Sequence, residues 1–486
     1  MMVHLSVNKI IKCLKILKRT YSSSMPKCDF VPEKYTGPSL EKMTQIRKTR
    51  LNPALTTYYE NPLAFHQGHM QWLFDLNGKR YLDMFGGICT VSVGHSHPKI
   101  TEVLHKQIQK LTHVSNVYYH PKIHEYAMRL TNKFPGDLKV VYFVNSGSEA
   151  NDLAVLMARS YTKNFDIVTL KNAYHGMTYQ TMGLTSNTGY KYKVPQAPGI
   201  HTIMNPDVYR GIWGGTHCRD SPIQTSRSCS CSIDDCDAKD KYLDQLRDVF
   251  KYNIKPGALA AFFAESIQGV GGTVQFPKGY IKGAYDIVKE HGGLFISDEV
   301  QTGFGRTGDH FWGFEMHGIE PDIVTMAKSI GNGFPLAAVV TRPEIAQALA
   351  SSMHFNTFGG NPLACTVGIT VLDIIEEEKL QKNCLEIGTY LLKELEKLKA
   401  KHSVIGDVRG KGLMLGVELV ENDKNATPLA SKRFMKMWEK TRDLGLIIGK
   451  GGLFGNVIRI KPPMCITKED ADFTVQVLDK AFEELK

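Results

Sequence analysis

The sequence predicts an α/β fold: a mostly parallel central sheet flanked by helices, joined to a smaller α+β domain. Three observations predict it. Short apolar runs recur along the chain, each followed by a glycine-bearing or polar turn and then helical periodicity, the pattern of strands joined by crossover helices. No internal repeat or long low-complexity segment interrupts that alternation. The last third changes texture, to a long charged amphipathic segment followed by short isolated strands. With 486 residues there is room for two or three domains with sizeable cores.

In chain order, residues 1–21 come first and carry Lys9, Lys12, Lys15, Lys18 and Arg19 and no acid, with Ile10, Ile11, Leu14, Ile16 and Leu17 between them. That is the composition of a basic amphipathic mitochondrial import peptide, and it lacks the long uninterrupted apolar centre of a secretory signal. Arg19-Thr20-Tyr21-Ser22 resembles a matrix-processing site, so residues 1–21 read as a transit peptide and the mature protein as a matrix protein. Residues 28–94 are rich in proline and turns and are expected to pack with the small domain. Residues 95–360 are expected to form the large domain, with its clearest strands at Lys139–Val144, Asp166–Leu170, Leu259–Ala264, Leu294–Ser297 and Ile323–Met326. A Ser-, Asp- and Arg-rich stretch, residues 205–237, reads as an insert in that domain. Residues 361–486 are expected to form the small C-terminal domain, with an amphipathic helix over Lys379–His402 and strands at Leu413–Leu419 and Val457–Ile460.

Composition excludes several classes. Hydrophobic residues at 42% and charged residues at 22% are ordinary for a globular chain, and no apolar run approaches the about 18 residues of a membrane-spanning helix. The formal charge is +10, from 59 Lys and Arg against 49 Asp and Glu. Five of those bases sit in the leader, whose removal leaves +5, scattered rather than gathered into the basic face that a nucleic-acid partner needs. Ten cysteines in so long a chain are not a disulfide scaffold. Cys218, Cys229, Cys231 and Cys236 cluster in the insert beside His217, but without a pair of Cys-x-x-Cys knuckles. Free buried thiols are therefore expected rather than zinc, and no metal is assigned.

The chemistry lies in the residues just after each strand. Asn145-Ser146-Gly147-Ser148-Glu149-Ala150-Asn151 is a small-residue turn opening a helix, an arrangement that offers backbone N–H groups and a positive dipole end to a phosphate. Tyr174-His175-Gly176 brings an aromatic ring, and Glu265-Ser266-Ile267-Gln268-Gly269 an acid. Asp298 begins the run to Gly308 that contains Gln301, and Lys328 comes after the strand ending at Met326. Ligands of open α/β sheets bind at the carboxyl edge, so five segments converge on one candidate pocket. A phosphate cradle, an aromatic plate, a strand-end carboxylate and a lysine are what pyridoxal 5'-phosphate requires.

From Cys28 to the end, the chain resembles the class III pyridoxal-phosphate aminotransferases of fold type I, through Asn145–Asn151, Asp298–Gly308, Pro321–Pro335 and Asn356–Pro362. The run Trp-Gly-Gly-Thr-His-Cys-Arg-Asp-Ser-Pro within Asp207–Cys236 resembles an insert of those members that move the amino group of alanine to glyoxylate or pyruvate. The resemblance implies a ping-pong transaminase acting on small amino and keto acids. It further implies a homodimer with shared active sites, with a homotetramer left open. Lys328 would be the Schiff-base lysine and proton carrier, and Asp298 the partner of the pyridinium nitrogen. Gln301 would bond the ring's phenolic oxygen and Tyr174 would stack on its face. Ser146, Gly147 and Ser148 would hold the phosphate, joined by Thr357 from the neighbouring subunit. Arg459 matches the arginine that grips the substrate carboxylate. Val270 and Ile88 stand where relatives acting on ornithine carry an acid and a tyrosine, which favours small or apolar substrates, including short β-amino acids such as 3-aminoisobutyrate, over cationic ones. A phospho-lyase remains open as the alternative, using the same Lys–Asp pair. Glu265 and His175 receive no role, and Ser266 replaces a proline usual in the family.

Overall fold

Seven strands build the central sheet of the computed structural model, which describes residues 24–232, 236–421 and 425–485; the expected leader, 1–21, lies outside them. The sheet runs Val140–Val144, Ala337–Thr341, Ile323–Met326, Leu294–Asp298, Leu259–Glu265, Asp166–Leu170, Ile200–Ile203. Every neighbouring pair is parallel except those made by Ala337–Thr341, which is antiparallel to both of its neighbours. Successive side chains enter opposite layers. Phe262 and Phe295 join the large cluster on one face, while Phe263 and Ile296 meet Leu153, Ala154 and Ala158 of the helix Gly147–Thr162 on the other. Burial on both faces explains why these strands read as unbroken apolar runs.

The sequence reading did not single out Ile200–Ile203 or Ala337–Thr341. The latter is buried throughout, and a five-residue apolar run without alternation carries no period by which to recognise it.

Two four-stranded sheets flank this core. In one, Phe65–His69, Trp72–Asp75 and Arg80–Asp83 form a meander whose last strand pairs in parallel with Leu446–Ile447, so the beginning and end of the chain share a sheet. The other, wholly antiparallel, orders Ile405–Lys411, Met414–Leu419, Val457–Ile460 and Gly449–Gly451. The insert is clasped to this second sheet by buried charge. Arg219 donates to both oxygens of Asp407 at 2.8 and 3.1 Å and to the Val408 carbonyl at 2.8 Å. Arg409 pairs with Asp407 at 3.0 Å and with Glu418 at 2.6 Å, and Glu418 also accepts from Arg210 of the insert. All the paired groups except Arg210 are almost fully buried.

Breaking such a network leaves charge buried and unpaired, so Asp407→Asn should cost about 3–5 kcal/mol in denaturant unfolding. Burial opposes the Asp407 carboxylate, but Arg219 and then Arg409 outweigh it and hold its pKa below the ordinary value. Its stabilisation is therefore present above the unfolded pKa of about 4 and fades as pH falls through the folded value. A loss under about 1 kcal/mol, or one that does not shrink towards low pH, would contradict this clasp.

Candidate active site

Glu265, Asp298 and Thr325 stand in register at the carboxyl ends of three adjacent parallel strands. Lys328 comes three residues later with φ +52°, a left-handed backbone that side-chain-bearing residues avoid unless the surroundings enforce it. A cavity of about 150 Å³ opens here, lined by Ser146, Gly147, Ser148, Asn151, Tyr174, His175, Gly176, Glu265, Asp298, Val300, Gln301 and Lys328.

One end of the cavity is built to take an anion. Ser146 caps the helix Gly147–Thr162, its hydroxyl accepting from the Glu149 amide at 3.2 Å, which leaves the amides of Gly147 and Ser148 without intrahelical partners at the positive dipole end. Gly176, at φ +132°, lets the loop after Tyr174 close over this helix start: a Cβ there would lie 2.6 Å from Ser148 Oγ and 2.7 Å from Thr181 Oγ1.

The other end holds a fixed carboxylate. Asp298 Oδ2 accepts from Asn151 Nδ2 at 2.9 Å and lies 2.8 Å from His175 Nδ1, while Oδ1 accepts from the Val300 amide at 3.0 Å. His175 is buried, with its ring tilted against Phe263 at 4.6 Å. Asn151 in turn donates to the His175 carbonyl at 2.7 Å, so the triad is locked from two sides. Glu265 accepts from the Gly269 amide at 2.7 Å. Burial pushes its pKa up, and Asp298 adds to the rise against the opposing pull of His175.

The same cavity is lined by the amine of Lys328. Among the described residues Lys328 Nζ makes no hydrogen bond or ion pair, and burial pushes its ammonium below the ordinary lysine pKa, with Arg459 adding to that and Cys89 and Asp298 opposing it. Arg459 is 2% exposed, and no carboxylate pairs with it among the described residues. Its Nη2 donates to Gln301 Oε1 at 3.1 Å, its guanidinium lies 5.4 Å from the Phe85 ring centre, and its buried Nε has no partner. A buried guanidinium without an acid is a site prepared for a carboxylate. Lys461 Nζ also donates to Gln301 Oε1, at 3.0 Å, which commits the Gln301 carbonyl and leaves its amide NH₂ as the donor.

The fold thus gathers Ser146, Gly147, Ser148, Tyr174, Asp298, Gln301 and Lys328 around one cavity and links Arg459 to it through Gln301. Val270 is close by: a Cβ on Gly451 would lie 2.5 Å from Arg459 Cδ and 2.7 Å from the Val270 carbonyl. Ile88, 37% exposed and at φ +66°, does not line the cavity. Thr357 is not brought to it either. It is exposed on a segment that also exposes Met353, Phe355 and Phe358.

Sequence reasoning passed over Asn151 and Lys461. Both had a signal, since Asn151 is four residues after Gly147 on one helix face and Lys461 two residues after Arg459 along an extended chain. Ser266 also finds its purpose, its hydroxyl donating at 2.6 Å to the buried Glu299, which the hydroxyls of Ser297 and Thr302 and the amides of Gly313 and Phe314 also serve.

These donors fit pyridoxal phosphate: amides for its phosphate, an anchored carboxylate for its ring nitrogen, an aromatic wall and an unpaired amine. Fold and site together define a pyridoxal-phosphate enzyme of the α/β transferase type. The family model for class III aminotransferases matches residues 56–482, and the chain belongs to that family. It is 52% identical over 461 residues to the human protein named alanine–glyoxylate aminotransferase 2, mitochondrial, covering 95% of this chain and 90% of that one. Among solved structures it is similar to an (S)-enantioselective omega-transaminase from Thermomicrobium roseum, with TM-score 0.83, 32% identity and coverage of 93% of this chain and 100% of that one. It is also similar to a phospholyase from Arthrobacter in complex with phosphoethanolamine, with TM-score 0.80, 31% identity and coverage of 91% and 99%.

A lowered ammonium pKa means that the neutral amine is present at lower pH. In cofactor-stripped protein, Lys328 should therefore react with an amine-directed reagent at a lower pH than a free lysine peptide does. Peptide mapping across pH checks it; coincident labelling curves would contradict a desolvated amine.

Proposed function

We propose that this aminotransferase moves the amino group of alanine to glyoxylate, and that of short β-amino acids such as 3-aminoisobutyrate to pyruvate, in the mitochondrial matrix. The observation that carries the reading is the 52% identity over nearly the whole chain to the human relative. The unpaired, buried Arg459 supports it from the side of the site. Bound pyridoxal phosphate would supply a carbonyl that captures amines and a cationic ring that withdraws electrons from the substrate carbon.

The residues divide the work. The amides of Gly147 and Ser148 would hold the phosphate, with the Ser146 cap fixing the turn that presents them. Asp298, oriented by Asn151 and His175, would pair with the ring nitrogen and favour its protonated form. The Gln301 amide would donate to the ring's phenolic oxygen, and the Tyr174 ring would supply an aromatic face beside it. Lys328 Nζ would hold the cofactor at rest and, once freed, is the amine placed to take up and return a proton. Arg459 grips the carboxylate of donor and acceptor in turn. Val270, lacking a carboxylate, leaves that guanidinium unmasked, and Ile88 leaves the approach apolar, against cationic side chains such as that of ornithine. Residues 28–94 and 361–486 form one small domain beside the large domain of residues 95–360; the shared sheet of Arg80–Asp83 and Leu446–Ile447 supports that division. The exposed segment around Thr357 supports a homodimer in which Thr357 reaches the partner's phosphate. The phospho-lyase reading draws on the similarity to the Arthrobacter phospholyase, and assay of phosphate release against keto-acid formation decides between them.

Purified protein should form pyruvate and glycine from alanine and glyoxylate, and Lys328→Ala should abolish this while the protein still folds. Phosphate release without keto-acid formation would overturn the reading. Arg459→Lys should raise KM for both acids at least about tenfold while leaving the near-visible cofactor absorbance unchanged, because an ammonium cannot form the two parallel bonds. Unchanged KM values would place the carboxylate elsewhere. Thr357→Ala should weaken cofactor retention about tenfold or more. A mixed dimer of Thr357→Ala and Lys328→Ala subunits should then regain one site with normal retention, whereas no regain would place Thr357 at its own subunit's site.

A further inference from the structure

The insert carries a second constellation that transamination does not use. Cys218, Cys231 and Cys236 bring their sulfurs within 4.8 Å of one another, and the Cys218 sulfur lies 3.6 Å from that of Cys231 and 3.7 Å from that of Cys229. These four thiols come from three separate stretches of the insert. We propose that they form a structural zinc site.

Three of the sulfurs lie within reach of one ion, and Cys229 falls outside that set but stands 3.7 Å from Cys218. Zinc bound to four thiolates at about 2.3 Å in a tetrahedron sets its sulfurs about 3.75 Å apart, which is the spacing of Cys218 to two of its neighbours. A disulfide needs about 2.05 Å, and Cys218 could join only one sulfur and would strand the others; all four are free thiols. The sequence spacing is less adverse than a search for paired Cys-x-x-Cys knuckles implies, because Cys231 and Cys236 are separated by four residues, within the range of zinc-binding knuckles. The helix Asp237–Tyr252 places Cys236 at its N-terminal cap, and the Ala238 amide donates to the Cys231 sulfur, the outer support that thiolate ligands commonly receive. One adjustment is required. Cys229 Sγ also lies 2.6 Å from the Thr216 carbonyl, so on losing its proton this sulfur turns from that oxygen to the metal. Binding releases four thiol protons to solvent and changes no oxidation state.

The site would fasten the insert where it matters to the fold. Cys218 adjoins Arg219, which reaches Asp407, and its carbonyl accepts from the Lys278 amide at 2.7 Å. Upstream, Asp207, Arg210 and Ile212 line a groove of about 470 Å³ together with Gly271 and Gly452, which flank the Val270 turn. Tying Cys218 to Cys229, Cys231 and Cys236 closes this loop without a core of its own.

The test uses the full-length holoenzyme, expressed in zinc-supplemented medium, kept reduced and dialysed. Elemental analysis should find about one zinc per chain, and Cys231→Ser, at a half-exposed position, should lose most of it while retaining the cofactor absorbance. Releasing the metal with a mercurial in the presence of a zinc indicator should speed proteolysis within the insert about tenfold. If the variant does not fold, wild-type zinc content decides alone. No zinc above background, with the four cysteines found as reactive thiols or as disulfides by peptide mapping, would overturn the proposal.

Discussion

A carboxylate buried at the edge of a parallel sheet needs hydrogen-bond partners in place of the water it has lost, and the way Asp298 is served organises the whole site. Its three hydrogen bonds come from the helix Gly147–Thr162, the loop after Leu170 and its own turn. Segments far apart in sequence are thereby held to one atom pair. Because Asn151 also holds the His175 carbonyl, the helix start that presents Gly147 and Ser148 cannot shift without disturbing the acid. The helix start and the strand-end carboxylate are thus tied together by one network.

The second constraint is charge. Lys328, Lys461 and Arg459 gather near Glu265 and Asp298, and burial pushes the pKa of each of the three basic groups down. Gln301 mediates by giving its carbonyl to Arg459 and Lys461, a neutral acceptor where a carboxylate would have neutralised the guanidinium. Arg459 therefore remains available to an anionic substrate, and Lys328 stays uncommitted to any acid.

Much of this was legible in the sequence for a physical reason. Strands buried on both faces are short apolar runs, and the residues after them fall at the ligand-binding edge, so Asp298, Lys328 and the turn at Gly147 could be placed from order alone. The spacing of Asn151 from Gly147 and of Lys461 from Arg459 put each on the face of a candidate site residue, but what each does there became legible only when the fold showed what faces it. Ser266 was an unexplained departure from the family pattern until Glu299 appeared within reach of its hydroxyl. The cysteines of the insert show the same limit, since sequence spacing describes contiguous knuckles and the fold assembles sulfurs from separate stretches.

The mechanism rests on Lys328 being the amine that holds the cofactor, although Lys461 is a second buried amine close by with a strongly lowered pKa. Borohydride reduction of the cofactor-loaded protein, followed by mass spectrometry of its peptides, distinguishes the two. The mechanism predicts one cofactor-derived adduct per chain, on Lys328; an adduct on Lys461, or on any other lysine, would contradict it.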